Sequence, residues 1–194
     1  MAKQRVVDKW KTKTWYSVIA PDMFENKEIG QIPADDDSKL LNRIVRVSLG
    51  DLTGDMTQAY TTLLFRVNDV KGKSAFTKLV GHELSPSYLR SLVRRKRDVI
   101  HDVVDVETKD GVKLRIKTSL YTAKKASNPA KTAVRNAART EIIARAKEMD
   151  FAAIEQEIVF GKFSSRIYKA IKKIIPIKRV EVRKTEVQET FAAA

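Results

Sequence analysis

The sequence predicts an α+β protein, an antiparallel β-barrel of about seven to eight strands flanked by helices. Three observations lead there. Short runs rich in β-branched and aromatic residues recur between turn signals, as in Trp15-Tyr16-Ser17-Val18-Ile19. Asp110-Gly111 separates two alternating runs, 99–107 and 112–120, which is the pattern of a β-hairpin. Helical spacing of apolar residues is confined to a short segment after Ser85-Pro86 and to a group between 132 and 175. The expected division is a basic arm over 1–14 and one barrel domain with flanking helices over 15–190.

The arm holds Lys3, Arg5, Lys9, Lys11 and Lys13, with Trp10 among them. Two readings are open: a segment that orders on RNA, or a frayed terminus whose Trp10 packs locally. Residues 15–19 form the first strand, ended by Ala20-Pro21, and a short strand near 29–32 follows. Asp35-Asp36-Asp37-Ser38 invites a metal reading, but one Asp capping a short helix with the others solvated explains it better. Residues 43–49 alternate, and Gly50-Asp51 and Gly54-Asp55 mark turns. Residues 60–67 and 74–80 read as a hairpin around a loop at 68–73.

Ser85-Pro86 starts a helix, with Ser as N-cap and Pro at the first helical position. Its apolar stripe is Tyr88, Leu89, Leu92 and Val93, and Arg94-Arg95-Lys96-Arg97 closes it. The helix dipole favours cations there, but four exceed what capping needs, so RNA contact and a solvated end are both open. After the hairpin comes a helix over 132–149, burying Val134, Ala138, Ile142, Ala146 and Met149. Asp150 is placed to cap Phe151–Val159, and Gly161 breaks that helix. A third helix over 162–175 has Phe163, Ile167, Ile171 and Ile174 as its core stripe and Pro176 as its stop. Residues 179–187 alternate as the last strand.

Charge is unevenly spread. The 194 residues carry a net +14, but residues 1–110 hold 19 basic and 16 acidic side chains, and residues 111–194 hold 19 and 8. Such asymmetry points to a nucleic-acid partner. Residues 111–140 contain eight cations and no acid: Lys113, Arg115, Lys117, Lys124, Lys125, Lys131, Arg135 and Arg139. In a strand the first three share one face; on a helix the last three share one side. Like charges this close repel unless a polyanion receives them, so the stretch reads as a phosphate-binding surface. Lys162, Arg166, Lys169 and Lys173 repeat the pattern on the later helix. The expected RNA-binding set is these twelve with Lys9, Lys11, Lys13 and Arg94, Arg95, Lys96 and Arg97. Reversing Arg135 and Arg139 to Glu is expected to leave the fold intact.

Other functions find little support. There is no cysteine, which excludes disulfides, thiolate metal sites and cysteine nucleophiles. No apolar run reaches membrane-spanning length, and the N-terminus lacks the apolar region of a secretory signal, so a cytoplasmic protein is expected. His82 and His101 sit in different hairpins without metal-motif spacing, and no G-x-S-x-G, P-loop or G-x-G-x-x-G occurs. Asp102 and Asp105 lie on a strand beside basic residues, where electrostatic pairing explains them. No enzymatic activity, metal or cofactor is expected.

The chain resembles the S-three-Ae family of archaeal and eukaryotic small-subunit ribosomal proteins. The resemblance rests on Trp15-Tyr16-Ser17-Val18-Ile19-Ala20-Pro21-Asp22-Met23-Phe24, then Ile29-Gly30, Val47-Ser48-Leu49-Gly50-Asp51-Leu52 and Asp69-Val70-Lys71-Gly72-Lys73. Asp102-Val103-Val104-Asp105-Val106 and Thr108-Lys109-Asp110-Gly111 complete it, over roughly residues 8–187. Their order and spacing together are specific. The long charged C-terminal extension of eukaryotic members is missing, as expected of archaeal ones. The resemblance implies a β-barrel flanked by helices and no catalysis. It also implies a place on the small-subunit platform, near the 3′ end of the rRNA and the mRNA exit, among neighbouring ribosomal proteins. Two alternatives come from other classes: a free-standing RNA-binding regulator, and a metal-dependent RNA-processing enzyme using Asp35, Asp36 and Asp37.

Overall fold

The computed structural model describes residues 10–188, and Lys3, Arg5, Lys9 and residues 189–194 lie outside them. Eight strands form one sheet: β1 (Thr14–Ile19), β2 (Glu28–Ala34), β3 (Ile44–Ser48), β4 (Thr61–Lys71), β5 (Ser74–Leu84), β6 (Val99–Glu107), β7 (Lys113–Thr122) and β8 (Ile177–Val187). Five α-helices accompany it: α1 (Leu49–Thr53), α2 (Pro86–Leu92), α3 (Asn128–Glu148), α4 (Phe151–Val159) and α5 (Lys162–Ile171). The α+β class is as expected, but the sheet does not close into a barrel.

The reason lies in β5. Along one edge it pairs with β4 from Thr61↔Leu84 to Lys71↔Ser74. Its other edge is shared: β1 pairs with residues 74–76 in parallel, and β8 joins antiparallel at Glu83↔Lys184. The sheet therefore branches, and β2, β3 and β6 each keep one open edge. Pro33 is tolerated because β2 is an edge strand. At the branch, Gly81 passes so close to β8 that a Cβ there would stand 2.2 Å from the Thr185 carbonyl oxygen. Only glycine permits that approach.

Three apolar clusters follow from the branching. The largest packs Val134, Ala138, Ile142, Ile154, Phe163 and Ile167 of α3–α5 against Ile100, Val104, Ile116 and Val180 of β6–β8. A second gathers Val47, Leu49, Leu52, Leu63, Phe65 and Leu79, with Phe24 edge-on to Phe65. A third holds Tyr16, Ala34, Leu40, Val67 and Ala75.

Several boundaries differ from expectation. The loop expected at 68–73 shrinks to a tight turn at Gly72 (φ 62°), because β4 and β5 continue through Lys71↔Ser74 with a register shift near Asn68. Helix α3 begins at Asn128, not 132: Pro129 lies at its first turn, where a missing N–H costs nothing. Helix α5 ends at Ile171, four residues early, and Ile174 is exposed rather than core. Pro176 disfavours helical backbone before it, so the chain turns there and enters β8 at Ile177. Arg94–Arg97 do not close α2; Val93 is extended, and the four cations lie in the exposed loop to β6.

The expected caps are also replaced. Ser85, Asp36 and Asp150 occupy N-cap positions without side-chain cap bonds. The Phe151 N–H donates instead to Asp110 Oδ2 at 3.0 Å, so the β6–β7 turn caps α4. Asp35 and Asp36 pair with Lys39, and Asp37 accepts from the Tyr16 hydroxyl at 2.6 Å.

Candidate nucleic-acid interface

On β6 and β7 the even-numbered residues are buried under the helices, as Ile100, Val104, Leu114 and Ile116 show. Alternation then sends Lys113, Arg115 and Lys117 to the opposite face. The hairpin cations and the α3 cations thus lie on different sides of the sheet, not on one continuous surface.

The stretch without acids in sequence meets acids in space. Arg115 donates twice to Asp105, its cross-strand partner, at 2.7 and 2.8 Å. Lys117 pairs with Glu186 at 2.8 Å, and Glu186 also pairs with Lys184. Lys131 meets Asp98 at 3.0 Å. Arg139 grips the buried Asp102 with Nε and Nη2 at 2.6–3.1 Å. Arg135 reaches the His101 carbonyl at 3.4 Å, covering the open edge of β6. For Arg115, Lys117, Lys131 and Arg139 the repulsion is answered by carboxylates inside the chain. Arg139 is therefore no neutral target for charge reversal, since its loss strands a buried carboxylate. Lys113, Lys124 and Lys125 make no ion pair among the described residues.

These carboxylates titrate accordingly. The Arg115 guanidinium holds Asp105 below the usual range, and Lys117 and then Lys184 do so for Glu186. The Ala126 N–H, followed by Lys131, depresses Asp98.

Helix α5 presents a different surface. Phe163, Ile167 and Ile171 seat it on the core; Lys162, Arg166 and Lys169 lie exposed on it, and Lys173, expected on this helix, lies exposed in the turn after its end. From 158 to 180 there are seven cations and no acid. Lys162, Lys169, Lys172, Lys173 and Lys178 make no ion pair among the described residues, and Arg166 only approaches Glu157 at 4.0 Å. Lys172, Lys178 and Arg179 were outside the expected set; continuing the acid-free count through Pro176 would have found them. Lys11 is exposed, and the Lys13 ammonium lies 4.2 Å from the Trp10 ring centroid, so this part of the arm packs on itself.

Where α5 meets β8 and the start of β4, a cavity of about 580 Å³ opens beside these cations. Tyr60 and Tyr168 line it. The Tyr60 ring stacks on Tyr88 at 4.0 Å and 14°, and the Tyr88 hydroxyl donates to Glu181. Burial, with Glu181 beside it, pushes the Tyr88 phenol well above its ordinary value. Nothing local in the sequence links residues 60, 88 and 168.

Both histidines have structural partners. His82 Nε2 faces the Val182 carbonyl at 3.1 Å, and Nδ1 lies 2.9 Å from Thr185 Oγ1. His101 Nδ1 lies 3.0 Å from Ser119 Oγ, and burial, helped by Arg183, lowers its pKa. Among the described residues, no group of three or more His, Cys, Asp or Glu could hold a metal ion, and no helix is long and apolar enough to cross a membrane.

The model of the Ribosomal S3Ae family matches residues 1–190. The chain belongs to this family. Similar members include the small ribosomal subunit protein eS1 of Methanothrix thermoacetophila, 44% identical over 184 residues, covering 95% of this chain and 87% of that protein. Another is the small ribosomal subunit protein eS1 of Saccharolobus islandicus, 43% identical over 182 residues, covering 94% and 88%. The family and these relatives are named as ribosomal proteins, not as enzymes, which agrees with the absence of catalytic motifs from the sequence.

Proposed function

We propose that this chain is a structural component of the small ribosomal subunit, binding its rRNA by backbone contacts, in the cytoplasm. Its place would be the platform near the 3′ end of the rRNA and the mRNA exit, among other ribosomal proteins, as the family resemblance implies. One observation carries the RNA reading: five lysines on α5 and the turn into β8 stand without a carboxylate in a run of 23 residues. Holding like charges this close costs energy that phosphates would relieve. Lys124, Lys125, Arg135 and Arg94–Arg97 are further candidate contacts, and Lys113 would meet RNA only from the opposite face of the sheet. Arg115, Lys117, Lys131 and Arg139 reach RNA only by sharing or exchanging their carboxylates.

Purified small subunits test the reading. The chain should sediment with them through moderate-salt washes, and should bind short single strands weakly and without sequence preference. Strong sequence-specific binding to a short strand, with absence from subunits, would make the chain a free-standing regulator instead.

A further inference from the structure

We propose that the cavity between α5, β8 and the start of β4 holds one unstacked nucleotide of RNA, its base against Tyr60 and its phosphates on Lys169, Lys172 and Lys178. This rests on the RNA-binding reading and adds a defined subsite to it. The volume, about 580 Å³, lies in the range of small-ligand sites. Its wall is apolar where Leu84, Ile158 and Val180 line it, and its rim is cationic where the three exposed lysines stand.

Three features favour a nucleotide over a simple polyanion. First, Tyr60 is braced: its ring lies nearly parallel on Tyr88, and Tyr88 is tied to Glu181 and lies 5.7 Å from the Arg179 guanidinium. A braced ring is a stacking platform that loses little freedom on binding. Second, the hydroxyls of Tyr60, Ser164 and Tyr168 line the cavity and hydrogen-bond to no described residue, so they remain available to a base edge. Third, the charged groups at and behind the floor face partners of their own, His82 Nδ1 also lying 3.4 Å from the buried Glu155 carboxylate. His82 is buried there with both ring nitrogens engaged, and Glu181, the carboxylate in the lining, is bound by Arg179 and Tyr88. An acidic peptide would satisfy the lysines but would leave the tyrosine face without a matching flat partner. Because every base has a π-face, the site should be sequence-tolerant.

The test uses the full chain with hexauridylate, hexaadenylate and an abasic ribose-phosphate hexamer of equal charge. The two base-bearing hexamers should bind within a few-fold of each other, and the abasic one about five- to a hundredfold more weakly. Tyr60→Leu should bring hexauridylate down to the abasic level, and Tyr60→Phe should retain binding. Lys172→Glu with Lys178→Glu should weaken all three probes. A 5-iodouridine hexamer should photo-crosslink to Tyr60 or Tyr168 in the unaltered chain, which needs no variant to fold. Equal binding of abasic and base-bearing hexamers, or no crosslink at either tyrosine, overturns the proposal. So does an acidic hexapeptide of equal charge that binds as tightly as hexauridylate. Any of these in a chain that still resides in small subunits refutes the subsite alone; absence from subunits refutes the RNA-binding reading.

Discussion

The β6–β7 hairpin and helix α5 look alike in sequence and unlike in space. Strand β7 of the hairpin and helix α5 each carry a regular series of cations and no acid of their own. On the hairpin, Arg115 and Lys117 end in ion pairs with Asp105 and Glu186. On α5, Lys162 and Lys169 end in none among the described residues, and neither do Lys172 and Lys173 just past its end. The difference is one of neighbours. A strand residue meets partner strands that are remote in sequence: Arg115 lies opposite Asp105 on one side and Glu186 on the other. A residue on the outer side of a helix mainly meets its own i±3 and i±4 neighbours. An acid-free run therefore stays acid-free on the outer side of α5, but not in the sheet, nor on α3, where Lys131 and Arg139 reach back to Asp98 in the loop before β6 and to Asp102 on β6.

The comparison can be broken most severely by unseating α5. Phe163 is 1% exposed and anchors the helix beside Ile167 and Ile171. Phe163→Ala should cost about 3–5 kcal/mol in urea unfolding. A loss under about 1 kcal/mol would mean that the helix is not held by this contact.

A smaller effect separates structural cations from available ones. Asp102 is 4% exposed and takes both donors of Arg139. Asp102→Ala should cost about 1.5–3 kcal/mol, the value of charged hydrogen bonds. Arg139→Glu should destabilise more, by setting two carboxylates together, whereas Lys169→Glu on α5 should leave the unfolding midpoint nearly unchanged. Equal midpoints for Arg139→Glu and Lys169→Glu would erase the distinction.

The smallest effect is on acid stability. Asp98, Asp105 and Glu186 all have depressed pKa values, so their contribution is present above the ordinary carboxylate range and is lost as pH falls through about 4 and below. The pairs are solvent-facing, so each adds little. Stability should fall as pH drops below about 5, and Asp105→Asn with Glu186→Gln should flatten part of that fall. An unchanged profile in the double variant would show that the hairpin pairs contribute nothing.

Much of this was legible in sequence where information is local. Runs of strand-forming residues placed all eight strands, and Asp110-Gly111 placed the β6–β7 turn. Helical stripes found Val134, Ala138, Ile142, Phe163 and Ile167 in the core. Non-local features were not legible. The branching at β5 depends on Gly81 meeting Thr185 across 104 positions, which no local pattern encodes. The pairing of Arg115 with Asp105 could have been inferred once the hairpin register was assumed, but Arg139 with Asp102 needed the docking of α3. The tyrosine-lined cavity likewise assembles from four distant segments.

Under the proposed function, phosphates should be met by α5 and the turn into β8 rather than by the hairpin face. Salt dependence of binding to a small-subunit rRNA fragment tests this directly. Changing Lys162, Lys169, Lys172 and Lys173 to Gln should reduce the slope of log affinity against log salt by about 3, at 0.7–0.9 per phosphate contact. Changing Lys113, Arg115 and Lys117 to Gln should move it by less than about 1. A large loss of slope in the hairpin variant, with little in the α5 variant, would contradict the account.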